Sequence, residues 1–220
     1  MTVNTDQRTN RSHRIFHVPP NTSEYQYRGR KHFRNVLGSE NRLLEDKDGK
    51  RSQFIIFSNI NEQTFEKVFA DPSDATFARL YSSYIPGFGL LLVKMVTQVH
   101  EQAHKELATT IMFKLHEMNN LDRELQKIGR AEFGTNSRRK KADASFRPVQ
   151  LPASRSDKWP TMIIEAGYSG SSKDTLDAGA RWWLKESERD VKIALTILVS
   201  RTRREIVIDD WEIGGMADEG

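Results

Sequence analysis

The segment TMIIEAGYSG (Thr161 to Gly170) closes an apolar run with a carboxylate, Glu165, followed at once by small, turn-prone residues. An acid buried without a partner is costly. Its place at the end of a strand-like run therefore predicts something that neutralises it. A second acid, Asp143, stands in RKKADASFRPVQ, and from adjacent strands the two side chains can point the same way out of a sheet. Converging carboxylates repel unless one is protonated or a divalent cation lies between them. With Mg²⁺ or Mn²⁺, carboxylates and a main-chain carbonyl supply the oxygen ligands of a hard cation and leave water positions free for reaction. Taken singly, Asp143 also reads as a turn residue and Glu165 as a surface acid at a strand end.

A second pattern is HEQAH (His100 to His104), which fits H-E-x-x-H. That spacing places two imidazoles one helical turn apart for Zn²⁺, with Glu101 as base, in the manner of a metallopeptidase. No third ligand announces itself, because Glu124 in LDREL follows a helix break at MNN. His100 also falls within the apolar stripe of Val99, Ala103 and Leu107, the place of a partly buried structural histidine. Zn²⁺ is accordingly the less expected ion. The neighbouring Trp182 and Trp183 suggest base stacking, although adjacent helix positions diverge by about 100° and one indole is expected to anchor the helix.

The elements that must position these residues follow from hydrophobic periodicity. SQFIIFSNI reads as a strand, NEQTFEKVFA as a short helix, PSDATFARLYSSY as a second helix closed by Pro86 and Gly87, and GLLLVKM as a strand. Thr97 is the expected N-cap of a long helix through QVHEQAHKELATTIMFKLHEM. Strands follow at RKKADASFRPVQ and PTMIIEAGY, a helix at SSKDTLDAGARWWLKES, and strands at VKIALTILVS and REIVIDDWEI. This order implies an α/β or α+β fold with a mixed sheet flanked by helices. There is no internal repeat and no Gly-rich phosphate loop.

Residues 1–52 are polar and basic without a sustained apolar period, so they are expected to form a disordered or loosely docked extension. Residues 53–213 then form one domain, and 214–220 a flexible acidic tail. The chain of 220 residues carries a net charge of +4 and contains no cysteine. Disulfides, thiolate metal sites and Cys nucleophiles are thereby excluded. No apolar run approaches the roughly 20 residues that span a bilayer, and MTVNTDQRTNRSHR has no apolar signal core. An intracellular protein, cytoplasmic or nuclear, with no membrane partner is expected. Basic residues gather in RGRKHFR (Arg28 to Arg34) and in SRRKK, where Arg138, Arg139, Lys140 and Lys141 suit a polyanion through counterion release. The same runs also read as a solvated loop or an import signal.

The stretch KKADASFRP…KWPTMIIEAGYSGSSKDTLDAGARWWL resembles the core of the PD-(D/E)XK phosphodiesterases, the restriction-endonuclease-like superfamily. More closely it resembles a group of fungal proteins related to bacterial endonuclease-like proteins. The resemblance runs from about Leu90 to Trp211. It implies a restriction-endonuclease-like core and Mg-dependent hydrolysis of phosphodiester bonds in nucleic acid, with DNA the first expectation. Asp143 and Glu165 become catalytic metal ligands, and Ala166 lends its carbonyl. One residue departs from the pattern: the superfamily's lysine belongs two positions after the Glu, where this chain has Gly167. In the bacterial group that lysine stands on the following helix four residues after an Asp, and here Asp177 is followed at that spacing by Arg181. Arginine holds a phosphate in a planar fork but does not readily give up a proton. Arg181 or Lys173 would balance charge on the phosphoryl group. Ser169 matches the bacterial group as an orienting residue, or is a helix-start turn residue. Glu101 or His100 would stand near the metal in an accessory role. A nuclease fold that binds nucleic acid without cutting it is the alternative, and a homodimer is left open.

Overall fold

The computed structural model describes residues 5–45, 51–71, 77, 80–153, 155–168, 173–200 and 203–214. It contains two compact units, residues 1–96 with 135–140 and residues 97–134 with 141–220. Mixed sheets flanked by helices are found in both, as the alternation of strand and helix periods requires.

The first unit holds α1 (Thr5–Phe16), β1 (Ser23–Gln26), α2 (Arg30–Glu45), β2 (Phe54–Ser58), α3 (Glu62–Val68), β3 (Tyr81–Ile85), β4 (Leu90–Lys94) and the strand β7 (Arg139–Lys141). Its strands lie in the order β1-β2-β4-β3-β7, with β1 parallel to β2 and the later neighbours antiparallel. Strands β2 and β4 are central and read as continuous apolar runs because both their faces are covered. One face meets an aromatic core of Phe33, Phe57, Phe65, Phe69, Phe77, Tyr81 and Tyr84, where the Phe65 and Tyr84 rings stack at 3.9 Å. The other meets Phe16 and Val18.

The segment expected to be a loose extension thus supplies two helices and a strand to this unit. Phe33 and Leu44 are buried, with Val36 and Leu37 packed against the same core. These few apolar residues recur at helical spacing among arginines and asparagines, which hides the stripe from any measure of mean polarity. The helix expected over PSDATFARLYSSY lies largely outside the described residues, and its last part is instead β3. There Pro86 and Gly87 turn the chain into β4. Gly89 at φ 58° closes the turn, with the Ile60 carbonyl 3.0 Å from where a Cβ would stand, so only glycine fits without strain.

The second unit contains α4 (Gln98–Glu117), β5 (Leu125–Lys127), β6 (Glu132–Gly134), β8 (Ala144–Pro148), β9 (Met162–Tyr168), α5 (Lys173–Glu186), β10 (Ile193–Val199) and β11 (Ile206–Glu212). A sheet in the order β11-β10-β9-β8-β5 is antiparallel except between β9 and β10. A parallel pair cannot be joined by a tight turn, and α5 makes the crossover. Thr97 caps α4 as expected, its hydroxyl accepting the His100 N–H at 3.2 Å. The helix stops at Asn119 and Asn120, with φ of 65° and 63°, a left-handed conformation that asparagine tolerates better than most residues.

Alternation along β9 assigns its faces. Ile164 and Ala166 pack with Phe146, Ile197 and Ala108 of α4, whereas Ile163 packs with Ala180, Trp183 and Leu184 of α5. The two helices therefore cover opposite faces of one sheet, and every expected site residue from His100 to Glu101 and from Lys141 to Arg181 belongs to this unit. Among the described residues no helix is long and apolar enough to cross a membrane.

Candidate metal centre

The centre arises where β8 begins and β9 runs on. The antiparallel register starts with Ala144 opposite Ile164, and the Asp143 N–H still donates to the Ile164 carbonyl at 3.1 Å. The chain bends at Asp143. Its carboxylate, instead of a further backbone group, then receives the Ala166 N–H, with Asp143 Oδ2 accepting at 2.8 Å. A buried backbone donor has to be paired, and here a side chain completes the ladder.

His100, in the first turn of α4, reaches the same point. Its Nε2 lies 3.2 Å from the Ala166 carbonyl oxygen and 3.3 Å from Asp143 Oδ2. Two oxygens face Nε2, so the ring proton belongs there and donates to them. The other ring nitrogen, Nδ1, is buried without a hydrogen-bond partner. His100 is 0% and Asp143 6% exposed, which removes water as the alternative partner and makes each polar contact count.

This donor set fits a divalent ion. Ligands at neighbouring corners of an octahedron with bonds of about 2.1 Å stand about 3 Å apart, close to the separations from His100 Nε2 to the two oxygens. A carboxylate and a carbonyl suit Mg²⁺ or Mn²⁺, whereas an imidazole favours transition metals. Binding through Nε2 requires the ring to give up that proton, and Nδ1 lacks a partner either way.

The HEQAH motif is assembled beside it. His100, Glu101 and His104 each offer a ligand atom within 4.8 Å of the others. His104 Nδ1 donates to the His100 carbonyl at 3.0 Å, which fixes its tautomer. Burial, the largest influence, pushes the His104 imidazole below the usual histidine value against the pull of Asp143. Burial works to raise Glu101, yet a hydrogen bond from Lys105, with His104 and His100 nearby, leaves its carboxyl below the ordinary range. Lys105 holds Glu101 at 2.7 Å.

Glu165 is turned to the other face, where its Oε1 accepts the Trp183 indole N–H at 2.9 Å. The structure thus brings Asp143, Ala166 and His100 together, and sets Glu165 against α5. Across that face the register aligns Glu165 with Thr196 and Thr196 with Asp209, forming a polar row. Lys173 extends from α5 to Asp209 at 2.9 Å and to Asp177 at 3.2 Å. The Asp209 hydrogen bond, with Asp177, holds its ammonium above the ordinary lysine value. Arg181 lies over the Trp211 ring at 5.1 Å. Trp183 is fully buried and Trp182 partly packed in the same cluster with Trp159, which assigns at least the first of the pair to anchoring α5. The indole partner of Glu165 and the row through Thr196 and Asp209 escaped sequence reasoning; the only available signal was period-two spacing.

Residues Arg138 to Lys140 of the basic run are engaged within the first unit. Arg138 Nε donates to Ser83 Oγ at 2.8 Å and its guanidinium lies over the Phe16 ring. Arg139 pairs with Glu66 and covers the Phe65 ring at 4.7 Å. Lys140 is 7% exposed, and Lys141 is half-buried at the end of β7. These cations were expected on a free surface; strand pairing draws them in, because β7 lies alongside β3. Ser169 lies outside the described residues.

No family model and no curated protein matches the chain. Among solved structures, a DUF820 protein from Anabaena variabilis, provisionally named a nuclease, is similar over 59% of this chain and 76% of its own, at 14% identity and a TM-score of 0.39.

Proposed function

We propose that the second unit is a divalent-metal-dependent phosphodiesterase acting on nucleic acid, DNA first among its substrates. One observation carries this reading: a carboxylate, a main-chain carbonyl and an imidazole converge at the end of a buried central strand. Asp143 Oδ2, the Ala166 carbonyl and His100 Nε2 would hold Mg²⁺ or Mn²⁺. Such an ion, when bound, supplies a lowered water pKa and polarises a phosphate oxygen.

The chain's own groups then have separate tasks. Asp143 binds the ion and keeps the Ala166 peptide oriented through its N–H. His100 orients Asp143 and joins the donor set once Nε2 is free of its proton. Glu165 fixes α5 through the Trp183 indole and joins the ion only by leaving that partner. Lys173 or Arg181 reaches a phosphoryl oxygen after release from Asp209 or from the Trp211 ring, and offers charge that grows in value as the transition state forms.

A second reading, nucleic-acid binding without cleavage, is favoured by Gly167 at the lysine position of the motif and by the ties of Lys173 and Arg181 within the unit. Cleavage of plasmid DNA and of RNA with Mg²⁺ or Mn²⁺ separates the two. The hydrolase reading expects cutting that is lost in Asp143→Ala and Glu165→Ala. Retained binding with no cutting supports the second reading, and undiminished cutting by both variants overturns the site. A zinc peptidase built on His100, Glu101 and His104 predicts stoichiometric Zn²⁺ in the purified protein that disappears in His100→Ala. The orientation of His100 Nε2 toward two oxygens favours the mixed oxygen and nitrogen site instead.

A further inference from the structure

Strand β11 ends its sheet, and among the described residues no strand pairs with its outer edge. Its side chains alternate strictly. Val207, Asp209 and Trp211 turn toward the face covered by α5, while Ile206, Ile208 and Asp210 are exposed, with Ile206 61% and Ile208 52% open to solvent. Exposed aliphatics on an unpaired strand edge are what soluble proteins ordinarily avoid. Arg204, also exposed, lies two residues before the strand, with Glu205 between them.

The backbone fixes which residues can accept a partner. The Ser200 N–H donates to the Glu205 carbonyl, and the pairing of β10 with β11 continues from there. The odd-numbered residues therefore spend their backbone groups on β10. Those of Ile206, Ile208 and Asp210 point outward. A second copy running antiparallel can exchange ladder bonds only in registers that set even positions against even positions.

We propose that β11 pairs with β11 of a second copy about a two-fold axis through Val207. In that register Ile206 faces Ile208 of the partner copy and Arg204 faces Asp210. The strand is self-complementary: basic before it, acidic toward its end, aliphatic between. Shifting the register by two residues either way sets an isoleucine against Asp210 or against Arg204. Among the even positions one register alone satisfies both charge and burial; the same register sets Glu205 against Asp209 of the partner copy, whose charge Lys173 offsets at 2.9 Å.

The experiment is sedimentation equilibrium of the full chain over a micromolar concentration series, with circular dichroism confirming the fold of each variant. Wild type is expected to dimerise. Arg204→Asp and Asp210→Arg, each of which sets like charges together twice by symmetry, weaken the dimer about tenfold or more. The double exchange Arg204→Asp with Asp210→Arg restores it, because attraction returns with the ends reversed. A wild-type monomer across the series, single variants with unchanged association, or a double variant without recovery each overturns the proposal. The readout does not depend on cleavage activity, so failure of the nuclease reading leaves this test intact.

Discussion

Replacing Asp143 separates its part in stability from its part in metal binding. In Asp143→Ala the Ala166 N–H, held at 2.8 Å, loses the Asp143 acceptor in a buried site, whereas His100 Nε2 loses the Asp143 oxygen at 3.3 Å but keeps the Ala166 carbonyl at 3.2 Å. Loss of the partner of one buried group costs about 1–3 kcal/mol. At roughly 4 °C per kcal/mol for a unit of this size, melting should fall by about 4–12 °C. Asp143→Asn keeps an oxygen for the Ala166 N–H and should melt within a few degrees of wild type. The difference then appears with metal. Mn²⁺ at a hundredfold excess over its dissociation constant stabilises wild type by about 2.7 kcal/mol, a rise of roughly 10 °C. The asparagine variant, with no charge to offer, should show almost none of it. Differential scanning calorimetry with and without Mn²⁺ reads all three proteins. An equal Mn²⁺ shift in Asp143→Asn, or none in wild type, refutes the assignment of this carboxylate to an ion.

Trp183→Phe should retain most of the packing against Ala180 and Ile163 but remove the indole hydrogen bond to Glu165, at a cost of about 1–3 kcal/mol in urea unfolding for a bond to a charged group, while Trp183→Ala should cost about 3–5 kcal/mol. Tyr84, fully buried with its hydroxyl donating to the Ile60 carbonyl, has its pKa pushed up to about 12, mainly by burial. The native state keeps this proton where the unfolded chain has lost it, so Tyr84 stabilises fully below about pH 10 and that contribution fades as pH rises toward 12. Absorbance titration should show a phenol that titrates toward pH 12 and is lost in Tyr84→Phe. Arg139→Ala should lower stability by about 0.5–2 kcal/mol through its lost ring contact and partly exposed ion pair, and leave the salt dependence of DNA binding unchanged. A shallower salt slope would instead return Arg139 to the nucleic-acid surface.

The longer elements of the second unit, α4, β9, α5, β10 and β11, are legible from period alone, whereas β5 and β6 fall in a stretch expected to hold no element and RKKADASFRPVQ divides at Asp143 into β7 and β8. TMIIEAGY, KIALTILV and REIVIDDW are separated by signals that leave little choice of element. The site was legible only residue by residue. Asp143, His100 and Ala166 each carried a plausible individual role, but their convergence depends on a bend that frees a carboxylate to meet a backbone N–H 23 positions away. Glu165 was placed at a strand end, yet which face it takes is decided by where Trp183 packs. The first unit was harder still, because Phe33 and Leu44 bury their side chains from within a helix that is otherwise strongly polar. The basic run shows a related limit: charge in a sequence does not reveal that Glu66, Phe65 and Ser83, more than fifty residues away, contact it.

At the mouth of β9 the fold leaves its own knitting unfinished, and an aspartate ties off the loose stitch. Lengthening β8 by one more paired residue would seal that seam and withdraw the carbonyl and carboxylate from any visitor. On the proposed reading, the chemistry is bound to an imperfection in the sheet. Variants selected only for sturdiness should tend to lose it.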